Sequence, residues 1–521
     1  MFALALLIGI YSYLIFALGL IGQLSFIPVL VTSIVYLFFS IIYLKKELLN
    51  LKNEVNSKSK INIFSLLIFG MMLINLIGAL GPETSFDSLW YHLTIPKIFL
   101  QNHGIYFIPG SLFYYSVMPK LVDLLYIPAL LFGNEIVANL IHFSLGILCL
   151  IALYKLSKEF FDKKLSLLTV LIFASNLVFA WESTTAYIDL GRTFFEIMAL
   201  WGVVIWRKNK DQKILMESGI MLGLAITSKI IAAGSLFILL PIIYLSKKSF
   251  KNILIFSVSA IMVPIPWLVY AYIQTGNPFY PIFSGYDSSI SMSILNPIHF
   301  IKDLLTLFLH SDDPISPIYF IFVPLVFLYF NKLNKDLKII LYYSIISILV
   351  WYLTPRTGGG RFILPYLPAF SILTVGIYNN ISNKILEKFF LFVFVFIAVL
   401  TMGYRGIANF RYVPFILGLE SKDEYLVKNL NFSYGDFYDK DNYFKDNLKT
   451  SDRVLLFGFH NLYYADFNYI EASSAKKGDE FNYIATQNMT LPERFSFWSL
   501  VYSNQLTHVN LYKFGDAKWH Y

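Results

Sequence analysis

Charge is what this sequence has least of. Of its 521 residues only 14% are Asp, Glu, Lys or Arg, against about a quarter in soluble domains, and 57% are hydrophobic. That deficit excludes a wholly soluble chain. The single cysteine, Cys149, excludes an internal disulfide and leaves the redox compartment open. Internal repeats and low-complexity tracts are missing too. The first apolar run has neither a basic n-region nor a small-residue cleavage site, so it is expected to be a retained helix. Gly358-Gly359-Gly360 lacks the strand–Gly–Lys–Ser/Thr setting of a phosphate loop and reads as a turn before a helix. The formal charge of +8 speaks for basic loops on one membrane face, not for nucleic acid.

What the sequence does have is apolar runs near the ~20 residues that cross a hydrocarbon core, alternating with short basic clusters. Segments 2–20 and 26–44 form a helical hairpin around Gly22-Gln23-Leu24-Ser25. Further spans are expected at 61–80, 137–156, 165–181, 190–206, 214–244 (a hairpin), 253–272, 318–330, 339–353, 362–378 and 389–402, about thirteen in all. The clusters at Lys155/Lys158, Arg207/Lys208, Lys247/Lys248, Lys332/Lys335 and Lys384/Lys388 then share one face. By the positive-inside rule that face and the N-terminus are cytoplasmic. Three units are expected: two N-terminal helices with a basic loop (1–60), a transmembrane core (61–403) and an extracytoplasmic tail (404–521). In the core, the outer loop 81–135 holds short aromatic stretches suited to interfacial helices. In the tail, Asp452-Arg453-Val454-Leu455-Leu456-Phe457-Gly458 reads as a buried strand entering a turn. The fold class is therefore an all-α polytopic membrane protein with a small α/β C-terminal region.

Ionisable residues in or beside spans are costly and so carry the functional information. On the outer side they are Asp87, Lys97, Glu182, Asp189, Arg192, Lys229, Arg356 and Arg361. Outer-face cations oppose the positive-inside trend, and an anionic ligand such as phosphate explains them. Snorkelling or local pairing also accounts for such residues, and Arg192 sits three residues after Asp189 on one helical face. Asp87, among aromatic residues past the third span, suits a general base or a helix cap. His92 and His103 fit no metal-ligand spacing with Asp87, so no metal site is expected.

The stretch Asp87-Ser-Leu-Trp-Tyr-His-Leu-Thr-Ile-Pro-Lys97 resembles the first external loop of GT-C membrane glycosyltransferases, including aminoarabinose-transferase and protein O-mannosyltransferase relatives. In family order follow Ala186-Tyr187-Ile188-Asp189-Leu190, Gly223-Leu-Ala-Ile-Thr-Ser-Lys229, Gly276-Asn-Pro-Phe-Tyr-Pro281 and Arg361-Phe-Ile-Leu-Pro365. The resemblance implies a GT-C-like fold and inverting transfer of a sugar from a polyprenyl-phosphate-linked donor to a glycan, lipid or protein acceptor on the outer face. It implies Asp87 as catalytic base, with Lys229, Arg361 and Lys97 binding donor phosphate. Asp189 or Glu182 would supply a second carboxylate, and His92 and Tyr91 would line the pocket. Ser88 stands where protein mannosyltransferases carry a second acid, which weakens the case for a protein acceptor. No cofactor is required by this reading, a divalent cation being optional. A transporter or flippase of lipid-linked glycans, or a polymerase, is the alternative.

Overall fold

The computed structural model describes residues 1–55, 62–284, 297–354, 359–515 and 518–521. Helices dominate, and a small sheet closes the C-terminal end. Helices α1 (Phe2–Leu20) and α2 (Phe26–Val55) form the expected hairpin, and Gly22 at its tip takes φ +70°, a left-handed value that glycine tolerates best. α3 spans Ile63–Ala79. After it come a π-helical turn at Ser88–His92, then α4 (Thr94–Gln101) and α5 (Leu121–Phe132). The bundle continues with α6 (Glu135–Ser157), α7 (Lys163–Ala174), α8 (Leu177–Glu182), α9 (Asp189–Asn209) and α10 (Gln212–Ser228). It is completed by α11 (Gly234–Lys247), α12 (Phe250–Met262), α13 (Ile265–Thr275), α14 (Pro297–Leu309), α15 (Ile318–Tyr329), α16 (Lys335–Leu353), α17 (Leu367–Tyr378) and α18 (Lys384–Phe410).

Among the described residues six helices are long and apolar enough to cross a membrane, or seven if α12 and α13, bent by 52° at their break, count as one span. The count of thirteen is therefore not confirmed. Several expected spans are shorter or broken. The run 165–181 is split at Asn176, whose side-chain amide bonds the Ile172 and Phe173 carbonyls and Tyr319 Oη instead of continuing the helix. Conversely, α5 lies in the loop expected to hold interfacial helices, yet Leu121, Val122, Leu124, Tyr126 and Ile127 are all fully buried in protein.

Lipid offers no hydrophobic drive for helix association, so close backbone approach does that work. Gly219 and Gly223 on α10 bring it against α12 so tightly that an added Cβ would meet the Phe256 and Ala260 carbonyls at 2.6 Å each. α10 is thus fixed where its C-terminal end delivers Lys229. Beyond α18, which runs seven residues past the expected boundary at 403, short helices at Val413–Ile416, Lys422–Asn429 and Tyr443–Asn447 lead into the sheet. Its strands are β1 (Val454–Phe457), β2 (Tyr469–Glu471), β4 (Tyr483–Gln487), β5 (Ser499–Asn504) and β6 (Val509–Lys513), in the order β2-β1-β4-β6-β5. β1 is parallel to both neighbours, and the remaining pairs are antiparallel. β3 (Glu480–Phe481) and β7 (Trp519–His520) form a separate two-stranded ribbon. The strand expected at Val454 is β1, buried and paired on both sides in this sheet.

Candidate active site

Four separate segments meet at one end of the bundle. The first loop brings Asp87, the α8 end brings Glu182, the first turn of α9 brings Asp189, and the α10 end brings Lys229. Arg361, before α17, joins them. Its Nη2 donates to Asp87 Oδ2 at 2.7 Å, its Nε lies 3.2 Å from Asp189 Oδ2, and Glu182 Oε1 lies 3.8 Å away. Lys229 Nζ donates to Asp189 Oδ1 at 2.7 Å. Asp189 and Glu182 are fully buried, whereas Asp87, Arg361 and Lys229 keep 13–16% of their side-chain surface exposed. What surface the cluster exposes therefore belongs to its base and its cations.

Local structure explains this placement. Lys229 has extended dihedrals, φ −153° and ψ 114°, so α10 stops and the side chain turns inward. Asp189 occupies the first turn of α9, where the helix macrodipole favours a carboxylate. Gly359 and Gly360 pack on Ser311–Asp313 with no room for a side chain, and the Gly360 amide donates to the Asp313 carbonyl at 3.0 Å. That clamp sets the residue following it, Arg361. The guanidinium lies 4.7 Å from the Tyr187 ring and 5.6 Å from Phe362, over which Lys229 also sits at 4.7 Å. Gly358 and Arg356 lie outside the described residues.

Burial pushes the Asp87 carboxyl up, but Arg361, with His92 and Lys229, outweighs it and holds the group below its ordinary value of 3.8. Tyr91 Oη donates to Asp87 Oδ2 at 3.2 Å, and the Asp87 amide donates to Tyr187 Oη at 3.2 Å. His92 makes its close polar contact outside this cluster. Its Nδ1 lies 2.7 Å from Asp123 Oδ1, and Lys120 Nζ donates to the other Asp123 oxygen at 3.3 Å.

Lys97 is not part of the cluster. Its ammonium donates to the carbonyls of Tyr463 (2.7 Å) and Ala465 (2.9 Å) and to Asp466 Oδ1 (2.6 Å), anchoring the C-terminal region to α4. Burial lowers its pKa against the opposing pull of Asp466. Arg192 does not pair with Asp189 as its spacing suggested. It donates to Glu196 Oε1 at 2.7 Å and to Tyr366 Oη at 3.2 Å, and Asp189 is taken by residues from other elements. His103 sits at the α1–α2 tip, its Nδ1 3.2 Å from the Leu24 carbonyl. Among the described residues no group of three His, Cys, Asp or Glu is placed to hold a metal ion.

Two positioning residues were not expected from the sequence. Buried Glu83 accepts from the Thr84 and Ser85 amides with one oxygen and from Thr185 Oγ1 and the Ala186 amide with the other, at 2.7–2.9 Å. It staples the Asp87 loop to the loop that leads into Asp189. His142 Nδ1 donates to the Glu182 and Thr185 carbonyls while its Nε2 accepts from the Leu190 amide, which fixes the neutral tautomer. Glu83 directly follows the third span in Gly81-Pro82-Glu83, a signal open to sequence reading. His142, in mid-span, had only its polarity to mark it.

A family model described as dolichyl-phosphate-mannose-protein mannosyltransferase matches residues 124–270, a segment that holds Glu182, Asp189 and Lys229 but not Asp87 or Arg361. No curated sequence matches the chain. Among solved structures, ArnT from Cupriavidus metallidurans in the apo state superposes with TM-score 0.58 over 86% of this chain and 97% of its own, at 11% identity. The same protein bound to undecaprenyl phosphate gives the same values. An Archaeoglobus fulgidus oligosaccharyltransferase is less similar, with TM-score 0.46, 11% identity and coverage of 81% and 67%. The chain has the GT-C fold. The family-model match over residues 124–270 and the likeness to ArnT make the chain similar to GT-C glycosyltransferases. Within this fold the acidic and cationic residues gather where helix ends (α8, α9 and α10) meet the loops that carry Asp87 and Arg361, so the site is built from the ends of elements and not from helix faces.

Proposed function

We propose that this protein is an inverting glycosyltransferase, moving a sugar from a polyprenyl-phosphate carrier to an acceptor hydroxyl at the outer membrane face. The observation that carries the reading is Arg361, which joins the candidate base Asp87 to the Asp189–Lys229 pair in one buried cluster. Asp87 takes the acceptor proton, the freed oxygen attacks the anomeric carbon, and the bond from that carbon to the phosphate oxygen breaks. The electron pair leaves with the carrier phosphate, and Arg361 and Lys229 stabilise the charge that develops there. Glu182 and Asp189 hold the two cations in place.

Lys229 faces Asp189, and Arg361 faces both Asp189 and Asp87, so each cation of the cluster already has a carboxylate partner. A phosphodiester therefore has to displace a carboxylate to bind. Asp87, partly exposed and held by Arg361 through a single bond, is the one free to move. Donor binding then releases Asp87 to the acceptor, which couples activation of the base to occupancy of the phosphate site. In this reading the first helical hairpin starts on the cytoplasmic side and the sheet lies outside, over the site.

The test is a proteoliposome assay with the host's total lipid extract as donor source and mass spectrometry of carrier and product. The reading predicts free polyprenyl phosphate released in step with sugar gained by an acceptor, with inverted anomeric configuration. Movement of intact lipid-linked sugar across the bilayer without carrier release would support a transporter instead.

A further inference from the structure

A cleft of about 860 Å³ lies between α4 and the C-terminal sheet, away from Asp87. That is the size range of dedicated ligand sites, ~300–1,000 Å³, and more than one sugar ring fills. An adjoining cleft of about 500 Å³ shares Gln101, Phe467 and Asn468 with it as lining. The second cleft is also lined by Asp466 and Tyr464. Asp466 is bound by Lys97, and Tyr464 Oη donates to the Glu83 carbonyl at 2.8 Å, four residues before Asp87. The two clefts thus share a wall and make up one grooved face of the C-terminal region, which Asp466 and Tyr464 tie to Lys97 and to the loop carrying the candidate base.

The lining has a particular chemistry. Half-buried rings of Tyr106, Phe467 and Tyr469 stand beside the planar polar groups of Gln101, Asn468 and Glu471. Flat aromatic faces bury the C–H faces of pyranose rings, while amides and carboxylates match pairs of neighbouring hydroxyls. Four carboxylates and three cations line the larger cleft, so it has no strong charge of either sign for a polyanion or polycation. A lipid tail needs a continuous apolar wall, which these exposed polar residues interrupt.

We infer that this groove binds the acceptor, and that the acceptor is an oligosaccharide laid across the C-terminal sheet with its growing end toward Asp87. The inference rests on the transferase reading for its direction, but its test does not. The full-length protein in lipid nanodiscs is probed without donor on an array of bacterial-type oligosaccharides and peptides, and hits are quantified by titration calorimetry. Retention of at least one oligosaccharide is expected, with affinity reduced about tenfold by Tyr106→Ala and several-fold by Gln101→Ala. Gln101 is exposed, so its truncation removes a contact without disturbing packing. Retention of no oligosaccharide, retention of peptides only, or equal affinity in both variants would overturn it. Because no transfer takes place in this experiment, a failed transferase assay and a failed groove stay distinguishable.

Discussion

Asp87→Asn should lower sugar transfer by about 10²–10⁴-fold, the usual contribution of a positioned general base, while the protein inserts and accumulates normally. The amide keeps the volume and accepts from Tyr91, but it cannot take up the acceptor proton. It also no longer competes for Arg361, so carrier phosphate should bind as tightly as in the parent or more tightly. The pH profile adds a second readout. Asp87 in the donor-free protein titrates below 3.8 because Arg361 and its neighbours outweigh the effect of burial. A depressed carboxylate keeps its base form above that value and loses it only as pH falls through it. The acid limb of kcat/KM should therefore lie below pH 3.8. The limb of kcat should lie at higher pH, since bound phosphate withdraws Arg361 and leaves burial to raise the carboxyl. Rates in proteoliposomes across an acid series check both. Coincident limbs, or full activity in Asp87→Asn, would remove Asp87 from the mechanism.

Arg361→Met is expected to do two kinds of damage at once. Asp87 and Glu182 lose their nearest cation, at 2.7 and 3.8 Å, and Asp189 is left with Lys229 alone. Breaking a buried pair by removing one partner costs about 3–5 kcal/mol, because the orphaned charge stays buried. The thermal unfolding midpoint should fall accordingly. Transfer should fall by about 10²–10³-fold or more, the loss seen when one preorganised donor to a developing anion is removed. Arg361→Lys separates the two effects. It restores charge and most of the stability, but not the fork that reaches Asp87 and Asp189 together, so activity should remain well below the parent. Equal recovery of stability and activity in Arg361→Lys would mean that Arg361 is structural only.

The parts of this site that are legible in sequence share one cause. Lipid makes an ionisable residue costly, so Asp87, Glu182, Asp189, Lys229 and Arg361 stand out against their apolar surroundings without any knowledge of the fold. What they bond to is not legible, because partners come from other elements. Lys97 looks like its neighbours in the outer-face set, yet its carboxylate partner, Asp466, is 369 residues away. Arg192 sits at helical spacing from both Asp189 and Glu196, and only the arrival of Lys229 and Arg361 decides between them. Glu83 reads as an ordinary loop acid until the loop before α9 packs on it. The fold class and the α1–α2 hairpin follow from apolar run length. The span count does not, since protein-buried helices such as α5 and the broken α7–α8 pair need not be long enough to cross lipid.

Competition between carrier phosphate and Asp87 for Arg361 is visible in a structure of the unmodified protein with undecaprenyl phosphate bound. Phosphate oxygens are expected within hydrogen-bond reach of both Arg361 and Lys229, with the Asp87–Arg361 contact of 2.7 Å opened. Phosphate bound elsewhere while that contact stays closed would contradict it.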